Sequence, residues 1–128
     1  MVFGDFSPSA RLPVSFPHDS GQQPFFYNHP RTGRPETPEM SEFKARWREH
    51  PNTALYPFGH GLTYGRVEYG ATTVAAPALA WDGTLRVCAT VRNDGVRATE
   101  EVVQLYLHDR VGSRVRPVRE LKGFRKVM

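Results

Sequence analysis

Apolar positions along this 128-residue chain keep a regular period only beyond residue 80. Leu85, Val87, Ala89 and Val91 alternate with Arg86, Cys88, Thr90 and Arg92, the pattern of a strand with one covered face. Asn93-Asp94-Gly95 then supplies a turn, its glycine free to take a positive φ. Val103, Leu105 and Leu107 form a second alternating run against Val102, Gln104 and Tyr106. A third run spans 118–127, where Leu121 and Phe124 fall out of phase unless Gly123 is a bulge. Three strands with turns between them predict a β-sandwich, yet the stretch from Arg66 onward is shorter than the roughly 100 residues and seven strands of an immunoglobulin-like domain. An unfinished sandwich is expected.

Upstream the periodicity is lost. Pro13 and Pro17 leave room for one short extended piece within residues 1–17. Between residues 18 and 38, Gly21, Pro24, Pro30, Gly33, Pro35 and Pro38 break both helix and ladder, so this stretch reads as an extended connector whose aromatics Phe25, Phe26 and Tyr27 must lie on another surface. Thr37-Pro38-Glu39 offers an N-cap, a proline at the first helical position and an acid in the first turn. Met40, Phe43 and Trp47 follow at helical spacing and Pro51 closes the run, which predicts one short helix. Tyr56 to Gly65 carries the glycine spacing of turns.

Composition supports this picture: eleven prolines and eleven glycines favour turns and extended connections over long helices. The formal charge of +4 gathers in Arg110, Arg114, Arg116, Arg119, Lys122, Arg125 and Lys126. Val111, Val115, Val118, Leu121 and Phe124 interrupt them, which fits the polar face of strands and argues against a nucleic-acid patch. Cys88 is the single cysteine, so neither an internal disulfide nor a multi-cysteine metal site can form. No run approaches the ~18 apolar residues of a membrane span, and the first residues lack the blocks of a signal peptide. Were the protein exported, its signal would lie upstream of these residues.

Several segments, in order, are similar to the C-terminal region of family 3 glycoside hydrolases, the family of bacterial periplasmic β-glucosidases. Gly4-Asp5-Phe6-Ser7-Pro8-Ser9-Ala10-Arg11-Leu12-Pro13-Val14-Ser15-Phe16-Pro17 resembles the end of the family's α/β sandwich domain. Gly21-Gln22, Tyr27-Asn28-His29 and Thr32-Gly33-Arg34-Pro35 resemble the connector that follows, as does Leu55-Tyr56-Pro57-Phe58-Gly59-His60-Gly61-Leu62-Thr63-Tyr64. Val91-Arg92-Asn93-Asp94-Gly95, Glu101-Val102-Val103-Gln104-Leu105-Tyr106-Leu107 and Arg116-Pro117-Val118-Arg119-Glu120-Leu121-Lys122-Gly123-Phe124 resemble the first half of a fibronectin type III-like domain. The resemblance implies a mainly β chain in three parts: 1–17 ending the α/β domain, 18–65 the connector, and 66–128 an incomplete immunoglobulin/fibronectin type III-like sandwich.

It also implies a parent enzyme, periplasmic or secreted, that hydrolyses terminal β-glucosides by a retaining mechanism with two carboxylates roughly 5 to 5.5 Å apart. In the family these acids belong to an upstream barrel and to the earlier part of the α/β domain, so no catalytic residue is carried onto this chain. Asp5, Asp19, Glu36, Glu39, Glu42 and Glu49 read as solvated carboxylates. His18, His29, His50, His60 and His108 lack the spacing of a helical zinc site; no metal or other cofactor is expected. Phe25, Phe26, Tyr27, Trp47, Tyr56, Phe58 and Tyr64 could stack on sugar rings, although anchoring the connector is the stronger reading. Tyr27, Asn28, Arg34 and Arg46 are candidates for the rim of the parent's substrate pocket. The expected partners are the upstream barrel and α/β domains, with β-linked glucosides bound through them; no nucleic acid or membrane is expected. Strands without neighbours would favour self-association. A stand-alone carbohydrate- or protein-binding β-module, or a truncated product with no role of its own, are the alternatives.

Overall fold

Irregular backbone dominates because proline and glycine interrupt the first half of the chain, and regular pairing appears only where residues alternate. The computed structural model describes residues 2–31, 33–35, 37 and 42–128. The chain folds as two units, each assembled from distant segments: Met1–Ser9 with Thr63–Glu101 and Met128, and Ala10–Leu62 with Val102–Val127.

In the first unit the strands form one long interrupted hairpin. β1 (Val67–Tyr69) pairs antiparallel with β4 (Val91–Asn93), and β2 (Thr73–Val74) pairs antiparallel with β3 (Val87–Cys88). The strand expected from Leu85 to Val91 is therefore split at Ala89-Thr90, where the Gly70 N–H donates to the Thr90 carbonyl at 2.8 Å. β1 and β2 carry no clear alternation, being too short to show one. The turn after β4 forms at Asn93-Asp94-Gly95, but positive φ is not what it needs from glycine. A Cβ on Gly95 would stand 2.8 Å from the Arg66 backbone nitrogen, so the residue is small because another strand end passes beside it.

The second unit holds β5 (Glu101–Leu107, whose first residue lies in the other unit) and β6 (Glu120–Val127), paired in a two-stranded sheet. Both strands lie where the alternation puts them. β6 runs unbroken through Gly123, with Leu121, Gly123 and Val127 partly covered, so Phe124 falls on the outer face at 73% exposure. Around the sheet, the segment near Leu12 to Phe16 pairs with Leu55 to His60: Leu12 N–H donates to the His60 carbonyl at 2.8 Å and Phe16 N–H to the Tyr56 carbonyl at 2.8 Å. Pro13 and Pro17, having no N–H, cost this pairing nothing.

The helix expected after Thr37 does not form over its described part; residues 38–41 lie outside the described residues. Phe43 takes φ 57°, a left-handed conformation that ends any α-helix. Ala45 instead donates to the Arg34 carbonyl at 2.9 Å and forms a parallel bridge with Pro35. The Asn52 side chain completes the clip, accepting from Trp47 N–H at 3.2 Å and donating to the Ala45 carbonyl at 2.9 Å. Tertiary pairing has overridden a weak local helix signal. The helical turn that does form is a 3₁₀ turn at Ser20–Gln22, capped by Asp19.

Among the described residues no apolar side chain is fully buried; the most buried side chain is Gln22, at 1% exposure. Its amide is satisfied on both sides, donating to the Pro51 carbonyl at 3.0 Å and accepting from His18 N–H at 2.7 Å.

Candidate functional site

Aromatic residues between Phe25 and Phe58 lie in the second unit. Tyr27 stacks on Phe58 with ring centroids 4.2 Å apart, and both rings meet Tyr106 of β5 edge-on, at 5.9 and 6.5 Å. The Tyr27 hydroxyl accepts from Leu121 N–H of β6 at 3.1 Å. A single side chain thus touches both strands. Burial pushes the Tyr106 phenol above its ordinary pKa, with Tyr27 adding to the rise and Arg119, 5.7 Å over the ring, opposing it.

Gly59 makes the stack possible. It sits at φ 80°, and a Cβ there would collide with the Gln104 side chain and stand 2.8 Å from the Tyr106 hydroxyl. Gly61 is equally constrained: its carbonyl accepts from Arg11 at 2.5 Å, and a Cβ would strike the Ala10 carbonyl oxygen. These glycines serve close approach of backbone to neighbours.

Beside the stack lies a cavity of about 540 Å³, lined by Phe25, Phe26, His29, Arg31, Arg46 and Trp47 together with prolines, Ala45, Asn52 and Val118. Phe25 and Trp47 stack at 5.8 Å, and Phe26 meets His29 edge-on at 6.5 Å. The backbone around it is fixed by the Asn52 clip and by Val118 N–H donating to the His29 carbonyl at 3.0 Å.

The four rim candidates separate here. Tyr27 is committed inward to its stack. Asn28 and Tyr27 both line a smaller cavity of about 200 Å³ with Phe26 and Phe58. Arg34 is exposed, its carbonyl held by Ala45. Only Arg46 lines the larger cavity. Phe25, Phe26 and Trp47 stand out in the sequence as possible stacking residues. Arg31 and Val118 give no such signal, because their role depends on which segments meet.

Several described carboxylates are engaged locally. Asp19 caps its turn, and the Gly21 N–H holds its carboxyl below the usual range against an opposing desolvation effect, with Ser20 and His50 assisting. Lys122 likewise lowers Glu120. Tyr69 donates to the buried Glu101 at 2.7 Å. Among the described residues no cluster of three or more His, Cys, Asp or Glu could hold a metal ion. Glu36 and Glu39 lie outside the described residues.

Comparison with known proteins gives two family matches: the glycosyl hydrolase family 3 C-terminal domain over residues 1–64 and the fibronectin type III-like domain over residues 101–128. The chain is 41% identical to a periplasmic beta-glucosidase of Salmonella typhimurium over 128 residues, covering 99% of this chain and 17% of that protein. It is 37% identical to a putative beta-xylosidase of Formosa agariphila, covering 99% and 16%. Among solved structures, a beta-glucosidase from Listeria innocua in complex with gluconolactone matches with a TM-score of 0.91 and 41% identity, over 97% of this chain and 17% of that one. The chain thus spans about a sixth of the length of the relatives it matches.

Proposed function

The chain belongs to glycosyl hydrolase family 3, and on that footing we propose that it is the C-terminal part of a β-glucosidase that hydrolyses terminal β-D-glucosyl residues, in which it braces the catalytic domains. The observation that carries the activity is the 41% identity to the Salmonella periplasmic beta-glucosidase along nearly the whole chain. That relative's location supports a periplasmic or secreted parent. Residues 1–17 complete the α/β domain, 18–65 form the connector and 66–128 contribute to the fibronectin type III-like domain.

The bracing reading is supported by how side chains are spent. Asp19 caps a turn, Glu68, Asp109 and Glu120 meet neighbouring cations, and Glu101 accepts from Tyr69, whereas retaining hydrolysis needs two carboxylates facing one sugar. As the family resemblance implies, the catalytic acids are assigned to the upstream barrel and α/β domain. Incubated with an aryl β-glucoside, this polypeptide should give no turnover above a matched blank, while the parent enzyme containing it should hydrolyse the substrate. Turnover by the polypeptide would refute the division of labour.

Without those partner domains the chain should self-associate. The outer positions of β5 and β6 expose Leu105 at 48%, Leu107 at 54% and Phe124 at 73%, a surface that invites association. A clean monomer in sedimentation would contradict this.

Asn28, Arg34 and Arg46 remain the accessible members of the proposed pocket rim, with Tyr27 positioning the segment from within. In the parent enzyme, Arg34→Ala should raise KM for the glucoside without lowering the melting temperature; an unchanged KM would remove Arg34 from the rim.

A further inference from the structure

We infer that the cavity beside the connector is a binding site for a small carboxylate that carries a flat apolar face, either an acidic sugar or an aryl carboxylate. The inference deepens the rim reading, since Arg46 belongs to both, and it concerns binding to this chain rather than turnover.

Three observations support it. The volume of about 540 Å³ lies within the 300–1,000 Å³ range of small-molecule sites. The walls are aromatic and apolar, and Trp47 remains 37% exposed beside its stacked partner Phe25, leaving ring surface for the apolar side of a pyranose or an arene. Among the described residues the charge is of one sign: Arg31 and Arg46 line the cavity, no acidic side chain does, and neither arginine has an ion-pair partner. Guanidinium groups grip carboxylates through two parallel hydrogen bonds. An aromatic wall with two arginines selects a ligand that pairs an apolar face with an anionic end.

The walls are also held in place before a ligand arrives. Asn52 fixes the Ala45 to Trp47 segment, and Val118 fixes His29. Little ordering is then left for binding to do.

The chain's two tryptophans provide the test. Trp47 lines the cavity, and Trp81 is fully exposed in the other unit. Their indole N–H resonances are followed in the polypeptide while D-glucuronate, benzoate, D-glucose or benzyl alcohol is added to about 10 mM, tenfold above a millimolar dissociation constant. The Trp47 resonance should shift saturably with at least one carboxylate while Trp81 stays fixed. The neutral analogues should bind at least about tenfold more weakly, a difference of about 1.4 kcal/mol. A response to glucuronate alone assigns the site to acidic sugars, one to benzoate alone to aryl acids, and a response to both supports the shared chemistry. The Arg31→Gln/Arg46→Gln double variant, in which both altered side chains are exposed, should lose the carboxylate response at least tenfold. No saturable shift with either carboxylate, an equal shift at Trp81, or neutral analogues binding as tightly would overturn the inference in the unaltered chain. Failure here leaves the Arg34 kinetics untouched, so the two readings are separable.

Discussion

The two units hold irregular backbone together by different means. In the first, polar side chains dominate: Ser7 Oγ contacts Thr63 Oγ1 at 2.7 Å and Thr99 Oγ1 at 3.1 Å, Thr63 and Thr99 are hydrogen-bonded to each other, and Tyr64 N–H donates to Ser7 at 3.0 Å. Asn93 clips the end of the hairpin, accepting from Arg66 N–H at 3.2 Å and Gly95 N–H at 3.0 Å and donating to the Arg97 carbonyl at 2.6 Å. In the second unit, the Tyr27, Phe58 and Tyr106 rings do the corresponding work. Hydroxyl networks exchange water contacts for protein contacts at a net gain of only about 1 kcal/mol each, whereas a large ring removes apolar area and adds stacking. The aromatic unit should therefore depend on single residues and the polar unit on many small terms.

That contrast can be broken most sharply at Tyr27. Tyr27→Ala deletes the ring that bridges connector and strands and should cost about 3 kcal/mol, read as a lower urea midpoint for the Trp47 signal than for Trp81. Equal shifts at both tryptophans would show that the units do not differ in this way. Next in size is Gly59→Ala, which should cost about 2 kcal/mol through a left-handed φ and a collision with Gln104 and Tyr106; an unchanged midpoint would mean that the β5 side chains yield freely. In the polar unit, Thr99→Val should cost only about 1 kcal/mol, because Ser7 and Thr63 keep each other as partners; a loss matching that of Tyr27→Ala would invert the comparison.

The smallest effect concerns pH. Tyr106 has a folded pKa raised above the ordinary 10.0, chiefly by burial. Its contribution is fully present below pH 10 and is lost as pH rises through the folded value. The Trp47 midpoint should thus fall at strongly alkaline pH, and Tyr106→Phe should flatten that dependence relative to the unaltered chain. An identical alkaline profile in the variant would assign the effect to other groups.

Much of the strand pattern is legible in the residues. Glu101–Leu107 and Glu120–Val127 coincide with alternating runs, since a period of two defines a pleated strand wherever the run is long. The ordered motifs from Gly4-Asp5 to Gly123-Phe124 likewise identify the family. The short strands Val67–Tyr69 and Thr73–Val74 were not legible, because two or three residues show no period. The helix signal at Met40, Phe43 and Trp47 was misleading over residues 42–50, where Asn52 and Arg34 offer the backbone better partners. Of the cavity, Phe25, Phe26 and Trp47 stand out as aromatics; Arg31 does not, since nothing local distinguishes it from the other surface arginines.

By itself the amino-acid order settles where the longer strands run, where glycine and proline break regular structure, and which family the chain joins. It leaves open which face of a strand is covered. Leu105 and Leu107 look like the inward residues of β5, yet they are about half exposed, while Gln104 and Tyr106 are the partly covered ones. Alternation creates two faces but does not name the neighbour that will lie on either. That choice fell to Tyr27 and Phe58, which reach Tyr106 only once distant segments have come together.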